Sequence, residues 1–152
     1  MRILGLHTRW PVLPGLARLR DEALEGAAEM ARATELPMVV LGDLNVTPDS
    51  PAFDRLLREG GLRDALAGRD WRPTWMHRFW PLALRIDHVL VSPGTCVEQV
   101  ALGPPVGSDH PQGRLDVALE PDGAPSFELD GLRTARPRLQ LIVSLLERPS
   151  PL

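Results

Sequence analysis

The whole chain contains a single cysteine, Cys96. One thiol cannot build an internal disulfide framework or a cysteine-based zinc cluster. Cys96 reads instead as a small apolar strand residue. Long hydrophobic runs are missing as well, and no stretch is apolar enough for long enough to cross a bilayer. The N-terminus lacks the pattern of a signal peptide, because Met1-Arg2 leads through Ile3-Leu4-Gly5-Leu6 straight into polar residues. By default these absences predict a cytoplasmic protein with no membrane segment. Positive charge is in short supply too. Seventeen Lys and Arg stand against 20 Asp and Glu, a net charge of −3, so no global field draws in nucleic acid and any such contact must be local. The G-x-S-x-G elbow, the Walker A run and the G-x-G-x-x-G fingerprint are all absent, as is any internal repeat.

What is present suits one domain of ordinary size. At 152 residues the chain can bury a real core. Arg2 to Leu6 reads as a first strand, followed by His7-Thr8 and a loop from Trp10-Pro11 to Pro14-Gly15. Leu16 to Thr34 reads as a helix, with Leu16, Leu19, Ala23, Leu24, Ala27, Met30 and Ala31 recurring at three- and four-residue steps. It ends before Pro37, and the unbroken apolar run Met38 to Leu41 predicts a strand buried on both faces. A second helix is expected over 50–58, capped by Asp49 or Ser50 and stopped by Gly60-Gly61. Leu62 to Leu66 reads as a connector, and Ile86 to Val91, Cys96 to Leu102 and Leu115 to Leu119 read as further strands. Composition shifts at Glu120. Residues 1–120 form the expected domain, and 121–152 form a Pro- and Gly-rich linker with a short docking helix from Arg138 to Glu147.

Polar groups gather where those strands begin or end. Asp43 and Asn45 follow the central strand, at the carboxyl end where open α/β sheets tend to place their chemistry. If the backbone stays extended there, the two side chains share one side; alternatively they only make turn hydrogen bonds. Asp87 and His88 open another strand, and Asp109 and His110 sit in the loop Gly107-Ser108-Asp109-His110-Pro111. His7 is read as a packed or hydrogen-bonding residue unless something pairs with it. Between 69 and 85, Trp71, Trp75 and Trp80 alternate with Arg69, Arg72, Arg78 and Arg85. That stretch is either a grip on phosphates and rings or a loop pinned by tryptophans on the core. Together the clusters supply what phosphoester hydrolysis needs: a carboxylate for the attacking water, donors for the phosphoryl oxygens, and oxygen ligands for Mg²⁺.

G-D-L-N at 42–45, R-I-D-H-V-L-V-S at 85–92 and G-S-D-H-P at 107–111, in that order, resemble the endonuclease/exonuclease/phosphatase superfamily. Thr74-Trp75 falls where many bacterial members carry a T-W pair, and the resemblance covers roughly positions 2 to 119. It implies an α/β fold: one half of a two-sheet α/β sandwich, a mixed and mainly antiparallel sheet with helices on its outer face. It also implies a metal-dependent hydrolase of phosphate esters, nucleic acid or a small phosphodiester, using Mg²⁺ or Mn²⁺. Asp43 would orient or deprotonate the nucleophilic water, and would also serve the metal. Asn45 would hydrogen-bond the scissile phosphate, Asp109 would lie near the metal, and His110 would contact the phosphate with Asp87 fixing its ring. His7 would serve the leaving-group side, Trp75 and Arg72 would contact substrate, and His88 would be structural. By the same resemblance the chain corresponds to the C-terminal half of the family's domain. The other half supplies an asparagine and a metal-binding glutamate. A truncated catalytic domain is therefore expected, with self-association through its open sheet face. The alternative is a non-catalytic module that keeps the phosphate-binding corner without hydrolysis.

Overall fold

The apolar run before Gly42 forms the centre of the sheet in the computed structural model, which describes residues 1–69, 73–75, 83–93, 95–102, 113–119 and 138–143. Strand β1 (Arg2–Gly5) pairs in parallel with β2 (Met38–Asp43), joined by helix α1 (Pro14–Arg32). Helix α2 (Pro51–Gly60) and the two-residue strand β3 (Arg63–Asp64) follow, and β4 (Asp87–Val91) runs antiparallel to both β2 and β3. The resulting four-stranded sheet has the order β1-β2-β4-β3. It is α/β and mixed, as the sequence predicts, with two helices. The expected connector at 62–66 contributes the short edge strand β3.

Burial follows the alternation of the strands. Val40 and Leu90 face the helices, where they pack with Leu24, Ala27, Ala28, Phe53 and Leu56. Val39, Leu41 and Val91 form a cluster with Ala65 and Val97. Both β2 valines are wholly buried, which is why this strand is continuous in apolar residues rather than alternating. Helix α1 starts two residues before the expected position because Pro14 is preorganised for the first turn. Its buried stripe is Leu24, Ala27, Ala28 and Ala31, while Leu19 and Met30 are about half exposed. Small residues let α1 approach α2 closely, the Ala28 Cα lying only 3.2 Å from where a Cβ on Gly60 would stand. Helix α2 is closed at both ends. The Ser50 hydroxyl accepts from the Phe53 N–H at 3.2 Å, and Gly61 adopts a left-handed φ of 61° so that Leu62 N–H reaches the Leu57 carbonyl at 2.9 Å.

A separate three-stranded antiparallel sheet has the order β5-β6-β7, built from β5 (Thr95–Leu102), β6 (Gly113–Leu119) and β7 (Arg138–Val143). The helix expected from Arg138 to Glu147 is therefore corrected: residues 138–143 pair with β6 from Ala118↔Arg138 to Gly113↔Val143. The physical reason is visible in the sequence. Leu139, Leu141 and Val143 recur every second residue and Ile142-Val143 is β-branched, a pattern that suits a pleated ladder as well as a short helix. The linker expected at 121–137 lies outside the described residues.

Candidate functional site

The site is assembled where β1 and β2 end side by side. Beyond β1 the chain stays against β2, with Leu6 N–H donating to the Leu41 carbonyl at 2.9 Å and Thr8 N–H to the Asp43 carbonyl at 3.0 Å. Gly42 makes this approach feasible. Its φ is +135°, and a Cβ there would lie 2.1 Å from the Leu6 carbonyl oxygen. His7 is thereby delivered to Asp43, with Nε2 3.8 Å from Oδ2. The histidine is open to solvent, whereas the Asp43 carboxylate is only 13 % exposed. His7 thus has the pairing that its lone position in the sequence left open.

Asp43 and Asn45 do meet, but not by the extended route. Strand β2 stops at Asp43, and Asn45 takes a left-handed φ of 48°. Its N–H donates to Asp43 Oδ1 at 3.0 Å, so the turn hydrogen bond itself draws the two residues together. The Asn45 side-chain amide donates to the Thr8 carbonyl at 3.1 Å, which fixes its orientation and leaves its second N–H for another acceptor. Two groups not singled out in the sequence hold this loop. Thr8 Oγ1 donates to the Leu44 carbonyl at 2.7 Å, and Arg20 of α1 donates to the Asn45 carbonyl at 3.3 Å while pairing with Asp21. No local pattern announces Arg20, because its partner is 25 residues away.

Asp87 stands opposite Asp43 in the β2–β4 register and is buried. Its backbone is gripped by Thr74, whose hydroxyl accepts the N–H groups of Ile86 and Asp87 at 3.0 and 2.9 Å. Trp75 is half-buried, forms a β-bridge with Leu84, and has its ring 6.1 Å from that of the exposed Trp10. Asp109, His110 and Arg72 lie outside the described residues.

His88 is structural, as expected. Its ring is 1 % exposed and lies 4.3 Å from the Phe53 ring. Nε2 is 2.8 Å from the Val46 carbonyl and Nδ1 is 3.4 Å from an Arg85 nitrogen. A carbonyl only accepts and a guanidinium only donates, so the neutral Nε2–H tautomer satisfies both. Burial, with Arg85 adding to it, pushes its pKa down to about 4, against the opposing pull of the Val46 hydrogen bond, Asp64 and Asp87. Arg85 in turn pairs with Asp64, both side chains being almost fully buried. That ion pair was not foreseen, since Asp64 read as part of a connector.

A profile of the endonuclease/exonuclease/phosphatase family matches residues 3–110. The chain belongs to this family. Among solved structures, it is similar to the mannosyl-6-phosphatase Bt3783 of Bacteroides thetaiotaomicron VPI-5482, with 23% identity, a TM-score of 0.56, and coverage of 77% of this chain and 51% of that one. An endonuclease/exonuclease/phosphatase from Bacteroides vulgatus gives 25% identity and a TM-score of 0.56 over 68% of this chain and 45% of that one. The human Nocturnin catalytic domain, solved with bound sulfate, gives 18% and 0.53 over 77% of this chain and 45% of that one. The chain thus spans about half the length of these structures. No curated protein gave a match.

The family implies a divalent metal. Asp43 provides a hard oxygen donor at the end of β2, with Asp87 at the facing position of β4. Mg²⁺ is commonly held by one or two carboxylates with water completing its shell, so this donor chemistry fits it. Among the described residues no cluster of three or more His, Cys, Asp or Glu is poised to hold an ion. No helix among them is long and apolar enough to cross a membrane.

Proposed function

We propose that the chain carries the phosphoester-hydrolysing corner of its family and acts by in-line attack of an activated water. The observation that supports this best is the setting of Asp43. Its carboxylate sits at a strand end, anchored through Oδ1 by the Asn45 N–H, with His7 beside Oδ2 and Asp87 across the ladder. One oxygen is fixed by the turn while the other lies 3.8 Å from the solvent-exposed His7, an arrangement suited to orienting a water and accepting its proton. Asn45, its amide aligned by Thr8, donates to a phosphoryl oxygen. As the new water oxygen–phosphorus bond forms, the ester oxygen leaves with the bonding electron pair and is protonated from the His7 side. By the family resemblance Asp87 would fix the His110 ring, and Asp109 and Asp43 would hold Mg²⁺ or Mn²⁺. When bound, the metal supplies Lewis-acid stabilisation of phosphoryl charge. Arg72 and Trp75 contact the remainder of the substrate, a nucleic acid or a small phosphodiester. On the same reading these motifs correspond to the second half of the family's domain, whereas the sheet face expected to be open for self-association buries Val39, Leu41 and Val91 against Ala65 and Val97.

The test is hydrolysis of bis-p-nitrophenyl phosphate by the purified chain, with Mg²⁺ or Mn²⁺ and with EDTA. Metal-dependent turnover is expected, and Asp43→Ala should lower it by on the order of 100-fold or more with the fold intact. A folded wild-type chain that binds phosphate but never turns over would refute hydrolysis and leave a non-catalytic phosphate-binding module.

A further inference from the structure

Thr74 makes a clip that the hydrolytic reading does not use. The residue is wholly buried, and its hydroxyl oxygen accepts two successive backbone donors, Ile86 N–H at 3.0 Å and Asp87 N–H at 2.9 Å. The backbone on either side closes the same clip. Thr74 N–H and Trp75 N–H both donate to the Leu84 carbonyl, at 3.0 and 2.9 Å, and Leu84 N–H returns to the Trp75 carbonyl at 3.0 Å. Thirteen residues of sequence separation are thus pinned to the point where β4 begins. Immediately beyond that point, Asp87 enters the ladder opposite Asp43, and Ile86 offers its carbonyl to Leu44 N–H at 2.9 Å.

We propose that Thr74 is a positioning residue for the Asp43–Asp87 pair: its hydroxyl fixes the backbone of Ile86 and Asp87, and so sets where the Asp87 carboxylate stands relative to the end of β2. This rests on the hydrolytic reading of Asp43 and adds to it a residue that touches neither substrate nor metal. Chemistry explains the residue type. A single oxygen with two lone pairs can receive two converging N–H groups at once. Serine carries the same oxygen without the methyl group. Valine carries the same shape without the oxygen.

Thr74→Val and Thr74→Ser therefore separate the acceptor from the packing. In hydrolysis of bis-p-nitrophenyl phosphate, Thr74→Val should lower kcat by on the order of 10- to 100-fold, because small displacements of a reacting group are expensive. KM should stay within about twofold, since no substrate contact is lost, and Thr74→Ser should restore kcat to within a fewfold of wild type. Backbone amide spectra give the second readout. Thr74→Val should shift and deprotect the Ile86 and Asp87 amides, with secondary changes at Gly42 and Asp43, and Thr74→Ser should reverse them. Should Thr74→Val not fold, Thr74→Ala is measured in the same way. Wild-type kcat in a folded Thr74→Val protein overturns the positioning role while leaving the hydrolytic reading intact. Absence of turnover in the wild type sinks that reading alone. Thr74 is then judged by the spectra, and unchanged Ile86, Asp87 and Asp43 amides in Thr74→Val overturn the proposal.

Discussion

Protonation of His88 should be a main source of acid sensitivity in this fold. The imidazole is almost completely buried, packed on Phe53, and bonded to the Val46 carbonyl as a donor and to Arg85 as an acceptor. A proton on Nδ1 would destroy the second bond and place a cation against the Arg85 guanidinium, with Asp64 and Asp87 only partly compensating. The folded-state pKa is about 4 against 6.5 for the free side chain. The unfolded chain therefore binds a proton between these values that the folded chain refuses. Stability is fully present above about pH 6.5, falls as the pH drops through this window, and stops falling on this account below about pH 4. Each pKa unit corresponds to roughly 1.4 kcal/mol, so the loss approaches about 3 kcal/mol. That is a large share of the roughly 5–15 kcal/mol typical of a domain.

Urea unfolding of wild type and His88→Gln at a series of pH values isolates this contribution from that of the carboxylates, which both proteins share. At pH 7 the variant should be the weaker protein, having lost the ring packing on Phe53. The gap should close, by up to about 3 kcal/mol, between pH 7 and pH 4. A gap that stays constant over this range would refute the reasoning. So would a ring titration of His88 by NMR in the folded protein with its midpoint near 6.5.

Two further substitutions test the frame around the site. Gly42→Ala should cost about 3 kcal/mol or more in denaturant unfolding, combining an unfavourable φ with a Cβ driven into the Leu6 carbonyl, while Gly61→Ala, whose Cβ meets nothing within 4 Å, should cost only about 1–2 kcal/mol; equal losses would disprove the close approach. Asp64→Asn keeps the oxygen that accepts Leu66 N–H at 2.9 Å but strands the buried Arg85 charge. It should cost about 3–5 kcal/mol, largely recovered in the Asp64→Asn, Arg85→Met double variant, and a strictly additive cycle would show that the pair is not coupled.

The fold was legible wherever local chemistry and tertiary context agree. Met38–Leu41 reads as a strand buried on both faces, and of the two placements a helical crossover allows, beside β1 or one strand away, the structure adopts the parallel pairing with β1. Ser50 and Gly61 announce the ends of α2 through their own hydrogen bonds. The stretch at 138–143 did not announce itself, because six apolar-rich residues satisfy helix and strand periods equally well. Only the free edge of β6 decides between them. Leu19 and Met30 misled in the opposite way. They fit three- and four-residue steps but lie outside the buried stripe of Leu24, Ala27, Ala28 and Ala31.

For the site, the residue types were readable and the geometry was not. Asp43, Asn45 and Asp87 stand out because carboxylates and amides at strand ends are costly unless they are used. Yet the extended backbone that would have aligned Asp43 with Asn45 is replaced by a left-handed turn, and only a network reaching into α1 and the segment after β1 stabilises it. Arg20, Thr8 and Thr74 carry no motif of their own. Each acts on a backbone group far along the chain, and a sequence displays side chains but not the carbonyls and N–H groups they will meet. The same logic separates the two histidines. His7 and His88 both border a strand, but one ends beside a carboxylate in solvent and the other is sealed against Phe53 as a neutral ring. Surroundings, not residue type, make one a candidate for proton transfer and the other a fixed part of the core.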